Sequence, residues 1–179
     1  MLPERIGSAQ LAEMAAQGAS RVARVRASAL PRLAGLLAKD GASDQLWLEA
    51  EFAQGPEGYP QVRLRISGTL GLVCQRCLKR IDWPLTIDVS LTIVAHEAET
   101  RDLADPFDSV LLDAEGGLEL ILAAEDEVLA ALPLAPVHVE GAPCRAESVA
   151  AVAPQGELAN RPFAGLDELM GRGGRGRRD

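Results

Sequence analysis

Between Gln45 and Ala95 the sequence alternates apolar and polar residues with a period of two in successive runs, interrupted at Gly55-Pro56-Glu57-Gly58 and at Cys74-Gln75-Arg76-Cys77. That period puts every second side chain on one face of an extended chain, which commits the stretch to strands with one buried face. Leu46, Leu48, Ala50 and Phe52 alternate with Trp47, Glu49 and Glu51. After the turn signal Gly55-Pro56-Glu57-Gly58, Val62, Leu64 and Ile66 alternate with Arg63 and Arg65. Beyond the cysteines come Ile81–Trp83, Pro84, and then Ile87, Val89, Leu91 and Ile93 set against Thr86, Asp88, Ser90 and Thr92. Gly68 and Gly71 predict a bend or bulge ahead of Cys74. The spacing predicts an antiparallel meander of about four strands.

Helical signals flank this β core. Residues 8–17 read as a short helix with Ser8 as N-cap and Gly18 as stop, followed by a strand over Arg21–Arg26. Ser28 opens a second short helix, with Pro31 in its first turn, Leu33, Leu36 and Leu37 on one face, and Asp40-Gly41 at its end. Glu97–Gly117 is acidic and holds at most one short strand, Ser109–Leu112. Leu118–Leu132 is the strongest helix: Leu120, Ile121, Ala124, Val128, Ala131 and Leu132 share a face, and Glu119, Glu125, Asp126 and Glu127 make a solvated remainder. Pro133 and Pro136 forbid its continuation. After Cys144 periodicity is lost; Asn160–Leu166 reads as a docking strip followed by one helical turn, and 171–179 as a flexible Gly/Arg tail.

The fold class that follows is α+β: an antiparallel β meander, a partly closed sheet, with a C-terminal packed helix and short N-terminal helices. One domain is expected over 1–170, with N-terminal helices at 8–38, the β core at 45–95, the acidic loop and helix at 97–133, and a Pro-rich His/Cys loop at 134–150.

A hydrophobic fraction of 47% supports a folded core, and an aromatic fraction of 3% makes that core aliphatic. No run of about 18 apolar residues is present, which argues against a membrane span. The opening Met-Leu-Pro-Glu-Arg-Ile-Gly-Ser has no apolar stretch behind a basic start, so no secretory signal is expected. Three cysteines, two in C-x-x-C spacing, suit a reducing compartment, and a cytoplasmic location is expected. The net charge of −8 is segregated. Glu97–Glu147 carries thirteen acids and two bases, whereas Gln61–Ile81 carries Arg63, Arg65, Arg76, Lys79 and Arg80 with no acid, and Arg172–Asp179 holds four arginines. Segregated charge permits local phosphate contact, although each single arginine also serves to keep a face solvated.

Cys74 and Cys77 lie where two strands meet, so a tight turn there points both sulfurs one way. His138 and Cys144, in the loop after the Pro133 stop, supply two further ligands of the type that closes a tetrahedral zinc site. The alternative, reduced cysteines packed as small hydrophobes, stays open. A thioredoxin-like pair needs the N-terminus of a helix after a strand, and here β pattern lies on both sides. Glu125, Asp126 and Glu127 are consecutive on a helix and splay over a wide arc, which suits a solvated face better than acid–base catalysis. His96 has no nucleophile beside it and reads as a surface residue. No phosphate-binding glycine loop and no H-E-x-x-H occurs, and no catalytic residue is assigned.

Taken together, Leu72–Arg80, the helix Leu118–Leu132 with Glu125-Asp126-Glu127 leading into Pro133–His138, Cys144, and Arg161-Pro162-Phe163-Ala164-Gly165-Leu166 resemble the YceD family of bacterial and plastid large-subunit ribosomal RNA accumulation proteins. The matching blocks run in family order from about residue 60 to residue 170. The resemblance implies a non-enzymatic factor in the synthesis, processing or stability of 23S rRNA, supporting large-subunit assembly. It implies 23S rRNA or a pre-50S particle as partner, with neither a membrane nor a small-molecule substrate. Cys74, Cys77, His138 and Cys144 match positions that recur in similar sequences; the Gly/Arg tail and Leu78 depart from the pattern. Arg63, Arg65, Arg76, Lys79 and Arg80 are the candidate RNA-binding residues, on charge alone. The competing reading is a protein-binding module whose acidic segment grips a basic ribosomal protein, with indirect effects on RNA.

Overall fold

The computed structural model describes residues 5–40, 44–55, 58–103, 108–139 and Cys144, all within the first of the chain's two units, residues 1–145. Asn160–Leu166, the tail at 171–179 and the expected domain limit at residue 170 lie outside the described residues.

The elements run β1 (Ile6–Gly7), α1 (Ser8–Gln17), β2 (Ser20–Arg26), a 3-10 turn (Ala27–Ala29), α2 (Pro31–Ala34), β3 (Gln45–Gln54), β4 (Pro60–Val73) and β5 (Arg80–Val94). They continue with a second 3-10 turn (Glu97–Asp102), β6 (Ser109–Leu111), β7 (Gly117–Leu118) and α3 (Leu120–Ala131). The main sheet has the order β2-β3-β4-β5-β6, and β1 pairs with β7 in a separate two-stranded sheet. The α+β class and the meander hold, since β2 to β5 are successive antiparallel neighbours.

The alternation seen in the sequence is the inside and outside of this sheet. Leu46, Leu48, Ala50 and Phe52 of β3 and Val62, Leu64, Ile66, Leu70 and Leu72 of β4 are all buried. They meet Leu11 and Met14 of α1, Leu33 of α2, and Leu120, Ala124 and Val128 of α3 in one aliphatic core. The β4–β5 ladder keeps a single register from Gln61↔Thr92 to Val73↔Arg80, so the expected bulge at Gly68 and Gly71 is absent. The glycines serve close approach instead: a Cβ at Gly68 would lie 2.8 Å from Gln45 O, and one at Gly71 would collide with the Arg80 guanidinium. Pro84 lies inside β5, opposite Thr69. Thr92 N–H donates to Asp108 O (2.8 Å), away from β4, so even-numbered residues of β5 turn their N–H outward. Pro84 shares that parity and costs the β4 ladder no hydrogen bond.

Four expectations need correction. The cap of α1 is Gly7, extended because it pairs with Gly117 in β1, and Ser8 is already helical; Gly18 does end the helix, at φ 62. The second helix is only Pro31–Ala34, because Leu37 bridges Leu72 and Ala38 N–H donates to Gly71 O (2.7 Å), drawing the chain out beside β4. Leu36 is accordingly exposed rather than on a buried face. The sheet is not wholly antiparallel: β6 runs parallel to β5, the intervening segment bringing the chain back to re-enter in the same direction. Leu118 pairs with Ile6 in β7, so α3 starts at Leu120.

The largest correction concerns Glu125, expected on a solvated face and in fact fully buried. Its Oε1 accepts from the backbone N–H of Arg32 (2.7 Å) and Leu33 (3.0 Å), and its Oε2 from Arg32 Nε (3.0 Å). These N–H groups open α2 and have no partner within that one-turn helix, so a carboxylate from α3 takes the place of a local cap. The contact fixes α3 against α2 and thereby aims the Pro133–His138 segment at the β4–β5 turn.

Candidate metal centre

Val73↔Arg80 is the last pair of the β4–β5 hairpin, and the tip is the turn 74–79. Cys74 N–H donates to Lys79 O (2.9 Å) and Leu78 N–H to Cys74 O (2.9 Å), with Leu78 in the left-handed region at φ 59. Arg76 N–H points at Cys74 Sγ (3.4 Å). The Pro-rich segment after α3 lies along this tip, where Pro136 O accepts from Gln75 N–H (2.8 Å). Two stretches about sixty residues apart in sequence are thus joined by a backbone hydrogen bond, and the four candidate ligands come together there.

Cys74 Sγ lies 3.6 Å from Cys144 Sγ, and Cys77 Sγ lies 3.5 Å from His138 Nδ1. All four donor atoms fall within 4.8 Å of one another. A zinc tetrahedron with bonds of about 2.3 Å to sulfur and 2.05 Å to nitrogen has edges of about 3.8 Å (S–S) and 3.6 Å (S–N). The donor set and its close spacing therefore fit a closed Cys3His centre. All three cysteines are free thiols. His138 presents Nδ1 to the cluster while Nε2 lies 3.2 Å from Arg80 O, the second bond that fixes the ring of a ligating histidine.

Electrostatics point the same way. Burial pushes the Cys74 thiol up, but the N–H groups of Cys77, Arg76 and His138, together with the His138 side chain, outweigh it and bring it down to about 5. Burial, then the Cys74 and Cys77 sulfurs, push Cys144 up to about 11. The third thiol resists ionising beside the others, and a divalent cation is the group that removes that repulsion.

The basic residues divide into two kinds. Arg63 forms a two-pronged pair with Asp88 (2.6 and 2.7 Å), and Arg65 reaches Glu49 (3.4 Å), Glu51 (3.1 Å) and Asp88 (3.7 Å), all on the outer face of the sheet. Arg80 is held by Asp82 (2.7 Å), Asp44 (3.1 Å) and Asp40 (3.4 Å), and these carboxylates raise its pKa. Arg76 and Lys79, at the tip itself, make no ion pair among the described residues. The five cations are therefore not one uniform patch. Asp44, whose Oδ2 also accepts from Gly71 N–H (2.5 Å), anchors this arrangement from outside the hairpin. Sequence reasoning missed it, because nothing local marks one aspartate before a strand as the partner of an arginine 36 residues on.

The acidic segment is also partly engaged. Asp113 pairs with Arg5, and Asp126 with Arg32 (2.6 Å). His96 is exposed and caps the 3-10 turn that follows it. No helix among the described residues is long and apolar enough to cross a membrane.

The profile of the family described as large ribosomal RNA subunit accumulation protein YceD matches residues 62–170, which takes in both halves of the cluster. The chain belongs to the YceD family. One relative, the large ribosomal RNA subunit accumulation protein YceD of Haemophilus influenzae, is 30% identical over 123 residues, covering 66% of this chain and 70% of that protein. No solved structure matches the chain. The matched region starts inside β4, so β1 to β3, α1 and α2 of this YceD-family chain lie outside it.

Proposed function

We propose that this protein is a non-enzymatic factor in the accumulation of large-subunit (23S) ribosomal RNA, acting through contact with the RNA or a pre-50S particle in the cytoplasm. The observation that carries the RNA contact is the hairpin tip, where Arg76 and Lys79 make no ion pair among the described residues, on a turn beside Cys74, Cys77, His138 and Cys144. A structural zinc ion bound by those four residues would lock the turn, and its role is geometric, since four protein ligands leave no open position for chemistry. Arg63, Arg65 and Arg80 join such an interface by exchanging their internal carboxylates for phosphate oxygens.

The charge-reversed variant Arg76→Glu/Lys79→Glu tests this reading. It is expected to fold and bind zinc as the parent does while losing RNA binding and lowering the level of large-subunit rRNA in cells. Unchanged RNA binding and unchanged rRNA would remove the tip from the interface. A second reading has one observation in its favour: a cleft of about 210 Å³ lined by Asp113, Glu119, Asp126 and the exposed Leu111 and Leu122 suits a basic, partly apolar segment of a ribosomal protein. Capture of a cationic ribosomal protein that survives nuclease treatment, with no direct RNA binding, would favour it.

A further inference from the structure

Beside the metal centre a cleft of about 400 Å³ opens between Trp83 of β5 and the segment running from Pro133 to His138, with Arg76 at its edge. Its volume falls within the ~300–1,000 Å³ typical of ligand clefts. The chemistry of the lining is uneven in an informative way. Trp83 packs against the core on one side and lines the cleft with the rest of its indole. Pro136 and Val137 offer apolar contact, and Arg76 is the cleft's cation, without an ion pair among the described residues. No carboxylate is among the described lining residues, in a chain whose net charge is −8. A phosphate at Arg76 meets no carboxylate among the described lining residues, and a flat ring finds an indole.

Resting on the RNA reading above, we infer that this cleft takes one unpaired nucleotide of single-stranded RNA, its base against Trp83 and its phosphate on Arg76. A base within a duplex is stacked on its neighbours and cannot enter such a cleft, whereas unstacked bases of loops and single strands settle on aromatic side chains. The metal centre bears on the site through position: His138 lines the cleft and Arg76 lies between Cys74 and Cys77, so closing the cluster fixes both walls. The tip would thus select single-stranded over duplex segments, which a patch of surface cations alone does not do.

The chain has two tryptophans, and Trp47 lies on the far face of the sheet with Arg24 5.6 Å from its ring centroid. In a Trp47→Phe background, with excitation above the absorption of Tyr59, the emission is that of Trp83. The metal-loaded protein is titrated with a short single-stranded oligoribonucleotide and with the same sequence annealed to its complement, while anisotropy of labelled RNA reports binding independently. The single strand is expected to quench Trp83 saturably, and the duplex to do so at least tenfold more weakly. Trp83→Leu should weaken single-strand binding about tenfold, the size of one lost base stack, and Arg76→Ala should weaken it with a shallower salt dependence, as one lost phosphate contact does. Trp83→Phe keeps a ring and should stay within about threefold, which separates stacking from any folding defect of the leucine variant. RNA binding by anisotropy with Trp83 fluorescence unmoved and Trp83→Phe and Trp83→Leu alike would overturn the cleft and leave the RNA reading standing. No RNA binding by either signal would overturn both. Quenching by a proline-rich peptide and not by RNA would make the cleft a peptide groove and also overturn the inference.

Discussion

Leu78 holds a left-handed backbone at φ 59 with its side chain 76% exposed, a conformation that costs a branched L-residue about 1 kcal/mol and returns no burial. The turn needs that conformation so that Leu78 N–H can close back on Cys74 O and set the two sulfurs on one side. Leu78→Gly should therefore raise stability by roughly 0.5–1 kcal/mol in denaturant unfolding, with metal content unchanged. A loss of stability would mean that the leucine side chain is held by something outside the described residues. The sequence marked Leu78 as unusual only by resemblance; its strain is visible in the backbone alone. Glu125 is the opposite case. It stands among acids on a polar stretch, and nothing local distinguishes it from Asp126. Its partners are two backbone N–H groups some ninety residues away, and backbone donors leave no trace in residue type.

The hairpin β4–β5 carries both ends of the account, core packing along its length and the ligand cluster at its tip. Its strand pattern was legible because one face is buried throughout, and period-two alternation records that directly. What the sequence could not show was how far the ladder continues through Gly68, Gly71 and Pro84. Those residues read as breaks, yet here they admit a backbone carbonyl, a guanidinium and a free sheet edge. α2 was overextended for a related reason: Leu33, Leu36 and Leu37 have helical spacing, but the Leu37–Leu72 bridge outcompetes a helix too short to be stable alone. If the cluster holds a metal ion, as proposed, the strands and the tip should respond differently to its loss. β3 to β5 are fixed by an aliphatic core, whereas the turn 74–79 and the segment 133–139 rest on a few backbone bonds and the ligand cluster. Chelation should raise amide hydrogen exchange in those two stretches and leave β3–β5 protected. Uniform loss of protection would mean that the metal holds the whole fold; no change would mean that it holds nothing.

Across the whole molecule the acid excess is less of a handicap than net charge suggests, because acids and bases pair between distant elements: Arg5 with Asp113, Arg32 with Glu125, Arg63 with Asp88, Arg80 with Asp44. These pairs make stability pH-dependent in one direction. Arg63 holds the Asp88 carboxyl low, and Arg5 does the same for Asp113. Burial pushes Glu125 up, but the N–H groups of Leu33 and Arg32 and the Arg32 side chain outweigh it and leave it low. Each group is more acidic folded than unfolded, so its contribution is complete above the ordinary carboxylate range of about 4 and is lost as pH falls through the depressed values. The unfolding midpoint should decline between pH 7 and about 5, as the Cys74 thiol held down to about 5 in the fold takes up its proton, and drop steeply below about 4 where the carboxylates follow, with Glu125→Gln less stable at pH 7 and less steep in acid. A midpoint that rises in acid would contradict the pairing. On the proposed reading, the tip of the β4–β5 hairpin beside the Cys3His cluster faces RNA. A photoreactive side chain at the exposed position 78, activated in growing cells, tests it most directly. Recovery of large-subunit rRNA fragments, abolished in the Cys77→Ser background, is the predicted result; crosslinks to ribosomal proteins alone would contradict it.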